Sequence, residues 1–74
     1  MKLRHTETGE EREVSLNGDT LMSLERRAEI DRIYFATGIV QKRWMADNRL
    51  IETKEDQLEF EKQVDDEIGK IEII

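Results

Sequence analysis

Residues 39–53, Ile39-Val40-Gln41-Lys42-Arg43-Trp44-Met45-Ala46-Asp47-Asn48-Arg49-Leu50-Ile51-Glu52-Thr53, admit two conformations. As strands, 39–46 and 49–53 flank Asp47-Asn48, residue types that tolerate the positive φ of a two-residue hairpin turn. As a helix, Val40, Trp44 and Ile51 share a face. The β-branched opening and the turn pair favour the hairpin, with a short helix as the alternative.

Upstream of this stretch the pattern is that of one long helix. Asn17-Gly18 makes a turn, and Asp19 or Thr20 offers an N-cap oxygen. Residues 20–37 form the helix, with Gly38 at the left-handed position past its end. At about 100° per residue, Leu21, Leu24, Ala28 and Phe35 fall on one face. Met22, Ile30, Ile33 and Tyr34 spread across the other side, so the helix carries two apolar stripes where a surface helix needs one. Either the second stripe covers a sheet while Leu21, Leu24 and Phe35 pack on the C-terminal helix, or it is an apolar interface. Such an interface would serve a homodimer or another protein. At the N-terminus, Leu3-Arg4-His5-Thr6 and Arg12-Glu13-Val14-Ser15-Leu16 alternate around a loop containing Gly9. They read as a β-hairpin with Leu3 and His5 on one face.

Downstream, Thr53 caps a second helix, and Glu55 and Asp56 complement the dipole of its first turn. Phe60, Val64 and Ile68, four apart, form its buried stripe, with Gln57 on the same side, and Gly69 ends it. Lys70-Ile71-Glu72-Ile73-Ile74 alternates weakly and reads as a short terminal strand. The expected fold is α+β, a small single domain over residues 1–74. Its order is N-terminal β-hairpin, long central helix, second hairpin or short helix, acidic C-terminal helix, short terminal strand. A three-helix arrangement with an N-terminal hairpin is the alternative.

Size and composition narrow the function classes. A chain of 74 residues with 36% hydrophobic and 41% charged residues has room for one thin core. Cysteine is absent, which excludes disulfide staples and thiolate metal sites, so oligomerisation is the remaining common supplement to stability. No secretory signal and no apolar run near the length of a membrane helix is present. The expectation is a soluble, cytoplasmic protein with no membrane contact.

The net charge is unevenly placed. Residues 52–74 hold nine acids and three bases, which is the whole formal charge of −6, while residues 1–51 balance. Most of these acids belong to the second helix, where Glu55, Glu59 and Asp66 lie within an arc of roughly 40°. Glu61, Asp65 and Glu67 lie nearer its apolar stripe. The outward array is either a solvated face or a docking surface for a basic partner, nucleic-acid mimicry included. Asp65-Asp66-Glu67 point about 100° apart on a helix and do not converge on one ion.

Lys42-Arg43-Trp44, with Arg49 nearby, is the only basic cluster beside an aromatic and is the candidate nucleic-acid contact. Burial of the sole tryptophan in the core competes with that role, and the net charge opposes it. Arg26, Arg27 and Arg32 sit among Glu25, Glu29 and Asp31 as surface pairs, Glu29 with Arg32 across one turn. His5 is the only histidine, and no nucleophile–base spacing or glycine-rich phosphate loop accompanies it. No catalytic site, cofactor or metal is therefore expected. The leading expectation is a non-catalytic protein-binding module, a small regulator or inhibitor whose partner has a basic surface. The alternatives are a structural homo-oligomer and nucleic-acid binding through residues 42–44 and Arg49.

Overall fold

Alternation at the N-terminus produces the expected hairpin. In the computed structural model, which describes residues 1–18 and 21–74, strand β1 spans Lys2–His5, with Leu3 and His5 buried. Strand β2, Glu11–Glu13, returns antiparallel with Leu3 opposite Arg12. Gly9 supplies the positive φ of 74° in the loop between them. Val14 is buried just beyond β2, its N–H donating to the Met1 carbonyl at 3.0 Å. The expected terminal strand, β3 (Ile71–Ile73), pairs antiparallel along the other side of β1, with His5 opposite Ile71. The sheet order is β2-β1-β3. On its outer face Arg4 sets its guanidinium 2.6 Å from Glu72, a cross-strand pair that ties the two chain ends together.

Helix α1 runs Leu24–Ala46. Asp19 and Thr20, the expected caps, lie outside the described residues. The N-cap seen is Ser23, whose Oγ accepts the Arg26 N–H at 3.1 Å. The other end corrects the sequence expectation. α1 passes through Gly38 and takes up residues 39–46, so the second hairpin does not form. The physical reason lies in Ala36, Val40 and Trp44, which are four apart and all buried along one stripe. Glycine in a helix interior costs about 1 kcal/mol against alanine. Burying a side chain of valine size or more gains roughly 1.5–3 kcal/mol, so Val40 and Trp44 outweigh Gly38.

Asp47-Asn48 does accommodate a positive φ, but at the end of a helix. Asn48 sits at φ 53° just past the cap Asp47. Its N–H bonds the Met45 carbonyl at 3.1 Å, and the Arg49 N–H bonds the Trp44 carbonyl at 2.8 Å. These two bonds define a Schellman motif, which satisfies carbonyls the helix would otherwise leave open.

Helix α2, Lys54–Ile68, begins with a complete capping box. Thr53 Oγ accepts the Asp56 N–H at 3.1 Å, and Asp56 Oδ2 accepts the Thr53 N–H at 3.2 Å. Gly69 caps the other end in a right-handed conformation. Val64 is buried and Phe60 and Ile68 half-buried, while Gln57 stays exposed and Glu67 is buried instead.

The core has two ends. Near the sheet, Phe35 packs 6.5 Å from the His5 ring, with the Arg12 guanidinium 4.4 Å from the Phe35 centroid. Near α2, Trp44 meets Phe60 edge-on at 5.3 Å. Phe35 therefore packs at the sheet, and the expected division of α1's two stripes does not occur: Ile33 and Tyr34 stay exposed, and Leu21 lies before the helix cap, 98% exposed. No helix among the described residues is long and apolar enough to cross a membrane.

Candidate functional site

Three elements converge on Glu67, a carboxylate with only 3% of its surface exposed. From β1, His5 Nε2 lies 2.7 Å from Glu67 Oε2. From α1, Arg43 Nη2 donates to Glu67 Oε1 at 2.9 Å, and Lys70 Nζ stands 3.6 Å from the same oxygen. His5 Nδ1 accepts the Thr8 and Glu7 N–H groups at 3.2 and 3.3 Å. The ring proton therefore sits on Nε2 and is donated to Glu67. Burial raises the Glu67 carboxyl, but hydrogen bonds from Arg43 and His5 and the charge of Lys70 outweigh it and hold its pKa to about 2. Both ring nitrogens of His5 are occupied and the ring is buried. Chemically the cluster holds sheet, α1 and α2 together, with no ring nitrogen free to meet a substrate.

Ion pairs here and elsewhere engage part of the acidic excess of residues 52–74. Glu67 is matched by Arg43 and Lys70, and Glu72 by Arg4. Glu59 receives a two-pronged contact from Arg49, which also approaches Asp56 at 3.9 Å. The Arg49 hydrogen bonds lower the Glu59 pKa, and the backbone N–H of Glu52 and the cap bonds lower that of Asp56. Of the array expected on α2, Glu59 is thus engaged, whereas Glu55 and Asp66 are exposed with no ion pair among the described residues. Asp65 shares that state, and Glu61 accepts only the Gln57 amide at 3.3 Å. Leu58, 56% exposed, lies among them.

The basic cluster is dispersed by the fold. Trp44 is buried, its Nε1–H donating to Gln63 Oε1 at 2.9 Å. Arg43 is held by Glu67, and Arg49 lies over the indole face while gripping Glu59. Lys42 alone stands exposed without an ion pair among the described residues.

No family model, curated protein or solved structure matches this chain. The functional reading therefore rests on its own surfaces. Among the described residues no group of three His, Cys, Asp or Glu is placed to hold a metal ion.

Two apolar features remain exposed. Along α1, Ile33 and Tyr34 are 51% and 68% exposed and Ile30 is half-buried, while Met22 precedes the helix cap. Where α1 turns into α2, Trp44, Met45, Leu50, Ile51 and Phe60 line an open groove of about 320 Å³. Sequence reasoning missed this groove because it read residues 49–53 as a strand. The Glu67 cluster left one legible sign, a carboxylate on the apolar side of an amphipathic helix.

Proposed function

We propose that this chain is a non-catalytic protein-binding module, a small regulator or inhibitor that docks the outward face of α2 on a basic surface of a protein partner. The observation that carries this reading is the exposed row Glu55, Glu61, Asp65 and Asp66, which lacks ion pairs among the described residues. Every other acid of α2 is drawn into the fold by a cap or a base. Lys54 and Lys62 lie on the same helix, so four acids against two bases give a net charge of −2. The capping box fixes the start of the helix, so the carboxylates are presented in a set array and little ordering is required on binding. Leu58 offers an apolar centre ringed by charge, the usual anatomy of an interface. Mimicry of a nucleic-acid backbone is a special form of the same docking.

Affinity capture from the source organism's lysate tests the reading, run at low and high salt with the wild type and with a Glu55→Lys/Asp65→Lys/Asp66→Lys variant. A partner retained only by the wild type at low salt supports it. Equal capture by both proteins at both salt levels would remove it.

A further inference from the structure

The strongest observation outside α2 is a run along α1 from which charge is missing. At about 100° per residue, Ile30, Ile33, Tyr34, Thr37, Gln41 and Met45 occupy one arc of about 120°, with Trp44 near its edge turned onto Phe60 of α2. The four charged residues between positions 30 and 45, Asp31, Arg32, Lys42 and Arg43, all fall outside it. In a chain that is 41% charged, this stripe extends about 22 Å along the helix at 1.5 Å per residue. Ile33, Tyr34 and Met45 are exposed along it, Met45 by 75%.

Gly38 lies at the stripe's margin in mid-helix. A Cβ there would meet nothing within 4 Å, so the protein's own packing does not require glycine. Missing side-chain bulk on a helix surface lets another helix come close.

The charges around the stripe identify the occupant. Asp31 and Lys42 flank it on the same side, about 20° apart in projection. Arg26 and Asp47 stand near its two ends. Arg26, Lys42 and Asp47 are exposed and form no ion pair among the described residues. Asp31 stands 3.3 Å from Arg27, one turn away on the same helix, and forms no other ion pair among the described residues. A two-fold axis between residues 36 and 37 brings Asp31 opposite Lys42 and Arg26 opposite Asp47 at once. An isologous interface has to be self-complementary in this way. The same axis sets Tyr34 of one copy over the turn around Gly38 and Gln41 of the other.

We propose that the outer face of α1 binds a second copy of this chain, antiparallel, about a two-fold near Thr37. The interface lies on α1 and is independent of the reading of α2.

Analytical ultracentrifugation from micromolar to millimolar concentration tests it. The wild type should dimerise reversibly. Tyr34→Lys, at an exposed site that leaves helix content unchanged by circular dichroism, should weaken the dimer by at least about tenfold. Lys42→Asp should weaken it too, and adding Asp31→Lys to Lys42→Asp should restore it, because the exchanged pair meets across the axis. A wild type that stays monomeric at millimolar concentration, whatever else binds the stripe, would overturn the proposal. So would a dimer indifferent to Tyr34→Lys, or one that the charge exchange fails to restore.

Discussion

The guanidinium of Arg49 lies 3.9 Å from the centroid of the Trp44 indole, and the two residues are the outer and inner partners of the Schellman motif that ends α1. Such motifs commonly carry an apolar contact between these positions. Here a cation–π contact takes its place. Arg49 then reaches across to Glu59 and Asp56, so one side chain closes α1, shields the tryptophan and fastens the start of α2.

Replacing Arg49 by alanine should therefore uncover the indole and free α2's first turns together. The expected outcome is a red-shifted tryptophan emission and a lower urea midpoint. An unchanged emission maximum would show that the stack does not shield Trp44.

Acid should act through Glu67. Its pKa is depressed to about 2 in the folded chain, against about 4.3 for an unfolded glutamate. Its contribution to stability is complete above the unfolded value and is lost as pH falls from there toward about 2. Asp56 and Glu59 are also depressed and add in the same direction. Glu67→Gln should cost on the order of 2 kcal/mol at neutral pH, because Arg43 and His5 lose a charged acceptor. It should also flatten the fall in urea midpoint between pH 5 and pH 2.5. A variant as acid-sensitive as the wild type would place the effect elsewhere.

Gly38→Ala should stabilise the isolated chain by up to about 1 kcal/mol, since the position is helical and the new methyl meets open space. Urea unfolding at low protein concentration reads this directly. Destabilisation would mean that glycine is needed within the fold itself.

Thr53→Ala should cost about 1 kcal/mol by removing the hydroxyl that accepts the Asp56 N–H. Thr53→Ser keeps that acceptor and should recover most of the loss in thermal unfolding.

Local signals carried the elements and failed at the joins. Leu3 and His5 alternate and are buried together, and the Thr53 cap and Phe60–Val64 spacing place α2 correctly. Gly38 and Asp47-Asn48 misled, because each is as compatible with a break or a hairpin as with what occurs. The decision falls to the burial of Val40 and to Trp44 packing on Phe60 of α2, a contact that no local window contains. The acids illustrate the same limit. On the helix, Glu29 and Arg32 were legible as a pair three residues apart, and they do pair, at 3.3 Å. His5 and Glu67 are 62 residues apart, and Arg4 and Glu72 are 68 apart. Such pairs exist only once the sheet has brought the chain ends together. Four of the nine acids between residues 52 and 74, Asp56, Glu59, Glu67 and Glu72, are therefore engaged within the fold, and the proposed docking face contracts to Glu55, Glu61, Asp65 and Asp66.

The most direct test of that face is the dissociation constant of the captured partner, measured as a function of salt for the wild type and for Glu55→Lys/Asp66→Lys. Affinity should fall steeply as salt rises, and the variant should bind at least about tenfold more weakly at low salt, with a shallower salt dependence. A dissociation constant that ignores both salt and the two substitutions would contradict docking through α2.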